Sequence, residues 1–322
     1  MTVALAAAWL VGCKNGQPEM PATVTAPVTL GGRLVSAAQL NHGGQVYTQY
    51  CRACHGVAGD GRGPAAPGLR PPPRDLRLGV YKFGAVPAGQ LPGDADFLRI
   101  IRGGLHGTAM LAWDVPVAEL DDLIQYMKLF APRWRTEPAG EPIVPSLDPY
   151  QATDREAVAV ERGRKVYHGL AQCAVACHPA YATKPEIYAA TKELTGMALA
   201  AFRPDLYQPV PKDSDFGVKI LPTDFTFSPL RSGETLPDIY RSIASGIGGT
   251  AMPTWKNVLP ETDLWAMAHY VRWLVSLREA KAADQLKQRL LNQPAWAPPP
   301  PPDAAVDGNG DGGLTADGAT AD

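Results

Sequence analysis

Two short segments constrain this chain more than anything else in it: Cys51-Arg52-Ala53-Cys54-His55 and Cys173-Ala174-Val175-Ala176-Cys177-His178. Four cysteines could form two disulfides, and paired Cys/His spacing could hold zinc. Neither chemistry asks for a histidine directly after the second cysteine, and here it occurs both times. In C-x-x-C-H, two thiols add across the two vinyl groups of haem, and the adjoining imidazole reaches the iron from one face. Covalent haem on Cys51 and Cys54, with His55 on the iron, is therefore expected. The second segment carries one more residue between its thiols. Attachment through both Cys173 and Cys177 requires that loop to bulge; attachment through Cys177 alone is the alternative. His178 is the second iron ligand, and two haem c groups are the expected cofactors.

An internal repeat supports the second site. Laid without gaps on Arg241 to Trp255, the segment Arg99 to Trp113 matches at Arg99/Arg241, Ile101/Ile243, Gly104/Gly246, Gly107/Gly249, Thr108/Thr250, Ala109/Ala251, Met110/Met252 and Trp113/Trp255. Upstream, Gly43-x-x-Val46-Tyr47 echoes Gly163-x-x-Val166-Tyr167. A period of this size implies two complete domains rather than a solenoid. With 322 residues, 45% of them apolar, the chain can bury two cores, while its 32 Pro and 32 Gly put much of it in loops. After each methionine segment comes an amphipathic stripe: Leu120, Leu123, Ile124, Met127 and Phe130, then Leu264, Met267, Ala268, Val271, Leu274 and Val275. Both have helical spacing and begin near acidic residues.

Each half thus reads helix, cysteine motif with histidine, long Pro/Gly-rich loop, Gly-Thr-Ala-Met, helix. This order resembles the small all-helical cytochrome c fold over residues 37–134 and 158–277. The resemblance implies an all-α protein of two tandem cytochrome c-like domains. It also implies crossed first and last helices, with Tyr47 against Tyr126 and Tyr167 against Tyr270. The family's sixth iron ligand is a methionine on the loop before the last helix, and Met110 and Met252 match that position. Met127 and Met267 lie on helical stripes and read as core. His106 competes with Met110, but its repeat counterpart is Gly248, so it reads as a polar residue near the haem edge. His42, His168 and His269 read as half-exposed or inter-helix residues. Trp113 and Trp255 are expected beside the methionine loops.

At the N-terminus, an apolar block from Thr2 runs into Leu10-Val11-Gly12-Cys13, which resembles the lipobox of bacterial lipoproteins. Residues 1–13 read as an export segment with Cys13 lipidated, and 14–36 as a flexible tether. A linker spans 135–157, a charged helical extension 278–293 and a disordered tail 294–322. The enlarged loop of the second half, Pro179 to Ser232, either covers the second haem or faces the first domain. Arg62, Arg70, Arg74, Arg77 and Lys82 read as a solvated loop, with docking of an acidic partner as the sharper option. Asp307 to Gly312 imitates a calcium loop, but its twelfth position is Gly318 where a carboxylate is required.

Charge is nearly balanced, 30 basic against 32 acidic residues, so nucleic acid is excluded as a partner. No apolar run is long enough to span a bilayer, which leaves lipid on Cys13 as the membrane attachment. The reading is a dihaem cytochrome c on the periplasmic side of a bacterial membrane, passing single electrons between redox partner proteins. It is expected to be a carrier or respiratory-complex subunit and not an enzyme. The alternatives are a dihaem peroxidase or thiosulfate-oxidising cytochrome, and a haem-free zinc or disulfide module.

Overall fold

In the computed structural model, which describes residues 22–299, helix α1 (Ala37–Tyr50) starts at Ser36, whose hydroxyl accepts from the Gln39 N–H at 3.2 Å. It crosses α4 (Val117–Lys128) closely, because a Cβ at Gly43 would overlap the Asp122 carbonyl. In the second half, α5 (Glu156–Lys165) crosses α9 (Glu261–Ser276) the same way, with Gly163 against the Ala266 carbonyl. The neighbouring tyrosines pack where the helices meet: ring centroids are 5.5 Å apart for Tyr47 and Tyr126, and 5.7 Å for Tyr167 and Tyr270. The repeated Gly-x-x-Val-Tyr is therefore a crossing signature, and Val46 and Val166 are buried with it.

Between the crossed helices lie α2 (Arg52–His55) and α3 (Asp94–Gly103) in the first half, and α6 (Cys173–Ala176), α7 (Lys184–Thr195) and α8 (Leu236–Ser245) in the second. A final helix, α10, covers Lys281–Leu291. Leu40, Tyr47, Leu123 and Trp134 centre one apolar core, and Tyr167, Ile187, Leu264, Met267 and Leu274 the other. Each such fully buried side chain contributes about 1.5–3 kcal/mol. The fold is all-α apart from one hairpin, and among the described residues no helix is long and apolar enough to cross a membrane.

That hairpin corrects the tether reading. Val28–Leu30 and Arg33–Val35 pair antiparallel around a turn through Gly31 and Gly32, and the Gly31 N–H donates to the Trp134 carbonyl at 2.6 Å. Leu30 and Val35 are buried, so residues 28–35 belong to the first core. The linker is likewise packed. Ile143 joins the second core, and its N–H donates to Ala85 O at 2.6 Å. Beyond α10 the tail is not all free chain, since Trp296 packs against Tyr188 and Phe202 at 5.3 and 5.6 Å. The expected signal segment, lipidated Cys13, the tether up to residue 21 and the tail from residue 300, with its calcium-like loop, lie outside the described residues.

Candidate haem sites

The first cysteine turn is a single helical turn in which the His55 N–H donates to Cys51 O at 2.9 Å. His55 Nδ1 lies 3.0 Å from the Arg74 carbonyl. A carbonyl only accepts, so Nδ1 carries the proton and the Nε2 lone pair is left free, with no hydrogen bond among the described residues. Burial pushes the His55 pKa below the ordinary imidazole value, which favours the neutral, metal-binding form. Tyr47 at the helix crossing donates its hydroxyl to Gly56 O at 2.8 Å, tying the turn to the core.

The second turn repeats this arrangement with its extra residue absorbed. The His178 N–H donates to Cys173 O at 3.0 Å, so the same bond between histidine and first cysteine now closes over five residues. The turn is widened, as a bulge requires, and Gln172 before it is held at φ 51°, where a side chain is strained. His178 Nδ1 donates to Thr223 O at 3.0 Å, burial lowers its pKa, and Nε2 is again free. The Tyr167 hydroxyl donates to Pro179 O at 2.9 Å, the counterpart of the Tyr47 bond. Burial, then the neighbouring thiol of the pair, pushes the Cys51 and Cys173 thiols each up to about 12. Among the described residues, these four cysteines are unpaired thiols.

Both methionines sit on loops with one geometry. The Leu105 N–H donates to Met110 O at 2.8 Å, while the Thr108 hydroxyl donates to Leu105 O at 2.8 Å and accepts from the Met110 N–H at 3.1 Å. The corresponding distances for Ile247, Met252 and Thr250 are 3.2, 2.7 and 3.2 Å. Gly104, Gly107, Gly246 and Gly249 all have φ between 67° and 72°, a region that penalises any Cβ. The repeat keeps Gly, Thr and Met together because the loop is built from them. Trp113 and Trp255 lie beside the loops, their backbone N–H groups donating to Ile101 O at 2.9 Å and Ala244 O at 3.1 Å.

These loops also join the two halves. The His106 N–H donates to Arg231 O at 3.0 Å, and the Gly248 N–H donates to Lys82 O at 3.1 Å. Gly107 faces Pro229, while Gly249 faces Val80 and Phe216. When Arg74 is laid on Thr223, Val80 falls on Pro229, Lys82 on Arg231 and Phe83 on Ser232. The bonds of His106 and Gly248, and the contacts of Gly107 with Pro229 and of Gly249 with Val80, are then mirror images, whereas the Phe216 contact with Gly249 lies within the second half. Arg99 binds Asp96 at 3.1 Å and the Phe83 carbonyl; Arg241 binds Asp238 at 2.6 Å and Ser232 O at 3.3 Å. The two halves therefore meet about an approximate two-fold axis with a methionine loop on either side. Cations gather there: burial, then Arg74 and Arg231, push Lys82 down to about 8, and burial, then Arg241, lower Arg99.

Several expectations change in detail. Arg74 and Lys82 are not part of a solvated loop, since the Arg74 guanidinium lies 3.5 Å over the Phe216 ring, with Lys82 on the same ring. Arg62, Arg70 and Arg77 are exposed as expected. His106 serves the contact between halves through its backbone. His168 is fully buried rather than half-exposed. It lies on a π-helical turn, Val166–Leu170, donates from Nδ1 to Arg164 O at 2.8 Å and accepts the Tyr181 N–H at 3.0 Å. With both nitrogens used, it has nothing to offer a metal. His269 is buried against Asp148 at 2.9 Å, and exposed His42 bonds Asp122 at 2.7 Å.

The carbonyls that orient the two histidines escaped the sequence reading. They sit in Pro73-Arg74-Asp75-Leu76 and Pro222-Thr223-Asp224-Phe225, a Pro-x-Asp-apolar echo that loops of different length hide. Among the described residues, no group of three or more His, Cys, Asp or Glu side chains could hold a metal ion unaided. Two thiols, one imidazole with a free Nε2 and one loop thioether per half instead fit haem c, whose porphyrin supplies the remaining iron ligands.

Vicinal thiols, a carbonyl-oriented imidazole and a methionine loop on an all-α scaffold define a c-type cytochrome. Residues 38–127 match the family model of cytochrome c oxidase, cbb3-type, subunit III, which gives the first half a cytochrome c domain, with the haem binding and electron transfer such a domain implies. Among solved structures, the chain is similar to a component of the Kuenenia stuttgartiensis reducing HAO-like protein complex, at 27% identity and a TM-score of 0.58. The likeness covers 73% of this chain and 96% of that one. No curated protein matches the sequence.

Proposed function

We propose that the chain is a dihaem cytochrome c that moves single electrons between partner proteins. Cys51 and Cys54 would hold one haem, with His55 and Met110 on its iron; Cys173 and Cys177 would hold the other, with His178 and Met252. The observation that carries this reading is the recurrence, in both halves, of an imidazole oriented by a backbone carbonyl together with a methionine loop of one hydrogen-bonding pattern. Bound haem c supplies a one-electron iron couple. The chain's part is to present neutral imidazole and thioether donors, which favour the reduced iron, and to keep water out.

With one imidazole and one thioether on each iron, no place would be left for substrate, which favours a carrier over a peroxidase or thiosulfate-oxidising enzyme. The interface between halves supports electron passage from one half to the other, because each methionine loop rests on the opposite half. Similarity to a component of a redox protein complex supports a subunit role in which this chain feeds or drains a larger assembly. We further propose export and lipid attachment at Cys13, which would place it on the periplasmic side of a bacterial membrane. Intact mass and haem staining of the exported full chain test the reading. Two covalent haems, and spectra unmoved by peroxide, cyanide or thiosulfate, are expected. A single haem would reduce the protein to a monohaem carrier, and a ligand-induced spectral change would turn it into an enzyme.

A further inference from the structure

The first cysteine turn is closed by its own following loop. The Gly61 N–H donates to His55 O at 2.9 Å and the Gly63 N–H to Cys54 O at 3.1 Å. The second turn is followed by Pro179, and no such loop returns to it. The Cys177 carbonyl is met by the Val210 N–H at 2.8 Å, and the His178 carbonyl by a side chain, Arg203 Nη2, at 2.8 Å. Arg203 Nε also donates to Ala174 O at 3.0 Å, inside the widened turn. The rest of the guanidinium is anchored on its own segment. Nη1 donates to Asp205 O at 2.7 Å and lies 2.9 Å from the Asp205 carboxylate, while Nη2 reaches Gln208 O at 2.7 Å and Leu206 O at 3.2 Å. The side chain is largely buried, and all five of its N–H donors have acceptors within reach.

We propose that Arg203 is the positioning residue that lets the expanded motif hold haem by both thiols. This rests on the reading that the second motif binds haem. Its planar fork bridges the carbonyls of Ala174 and His178, on either side of Cys177, and so fixes the width that the extra residue imposes. With the width fixed, Cys173 and Cys177 keep one spacing relative to His178. Each thiol then adds across a vinyl C=C: sulfur bonds to the inner carbon, the thiol proton ends on the outer carbon, and no electron is gained or lost. Lysine is a poor substitute, because three donors on one ammonium do not bridge two carbonyls in a plane while also reaching the Leu206 to Gln208 strap.

The test uses the full chain carrying Arg203→Ala or Arg203→Lys, matured beside the wild type. It reads thioethers per haem by peptide mass, the haemochrome α-band shift that a surviving vinyl group causes, and the potential of each haem. The first haem is the internal control for folding and maturation. The expected result is a wild-type second haem with two thioethers. Arg203→Ala is expected to leave it mostly attached through Cys177 alone and to change its potential, with partial loss in Arg203→Lys and an unaltered first haem in both. Full double attachment and an unchanged second potential in Arg203→Ala would overturn the proposal. Where that variant is not recovered, the same outcome in Arg203→Lys would overturn it. Single attachment in the wild type would also overturn it, whereas a wild type with no second haem would instead remove the dihaem reading beneath it.

Discussion

The two cysteine turns differ by one residue, and their surroundings differ by much more. In the first, backbone N–H groups of Gly61 and Gly63 close the turn within a few residues of His55. In the second, the closing side chain lies 25 residues beyond His178. A one-residue insertion widened the hydrogen-bonded ring, so carbonyls that local backbone would have satisfied needed donors from elsewhere, and buried carbonyls without donors are costly. The enlarged loop of the second half supplies them. Its helix α7 also packs on the π-helical turn, where Gly169 lies against the backbone of Ala190 and Thr191. Irregular backbone in one place and added chain in another are two sides of one adjustment.

What the halves share can be broken first. Gly43→Val and Gly163→Val each force a branched side chain into a facing carbonyl, and each is expected to cost at least about 3 kcal/mol in its own half. Thermal unfolding of each variant measures this, and an effect in only one half would end the equivalence of the crossings.

Acid should separate the halves. Burial lowers the His168 pKa to about 4, while the unfolded chain keeps the ordinary 6.5. Between these values the unfolded state binds more protons. Stability of the second half should therefore fall as pH drops from about 6.5 to 4, by about 3 kcal/mol, and change no further through this group below that. Denaturant titrations across this range should show the slope in the second half, and His168→Gln should flatten it.

On the dihaem reading proposed above, Met110→Ala and Met252→Ala sharpen the comparison at the iron ligands. Each should open one iron to cyanide and lower that haem's potential by on the order of 0.1 V, about 2 kcal/mol per electron, leaving the other nearly unchanged. Spectroelectrochemistry reads both, and a variant without effect removes that methionine from the ligand set. The smallest effect belongs to the contact between halves. Phe216→Ala removes the ring under Arg74 and should weaken the interface by about 1 kcal/mol. Faster hydrogen exchange near Gly248 would register the loss.

Sequence carried the parts of the site that are chemistry in side chains. The cysteine and histidine segments and the methionine loops could be singled out because their spacing carries the chemistry proposed for them. The Gly-Thr-Ala-Met repeat was legible because positive φ and one threonine hydroxyl build that loop. The partners that are backbone were not legible. Arg74 O and Thr223 O could be any residue's carbonyl, and Arg203 has no counterpart in the first half to draw attention to it. The hairpin at Val28 to Val35 was hidden by a composition that also suits a tether, and only burial of Leu30 and Val35 distinguishes the two. His168 kept two readings, half-exposed or inter-helix, for a similar reason, since the partners that bury it are an Arg164 carbonyl and a Tyr181 amide.

The reciprocal bonds between His106 and Arg231 and between Gly248 and Lys82 bear on how this molecule should be taken apart. On the dihaem reading, severing the chain near Ile143 would not yield two intact electron carriers. Each fragment would present a methionine loop stripped of the wall it leans on, so potentials measured on isolated fragments would belong to altered molecules rather than to the whole.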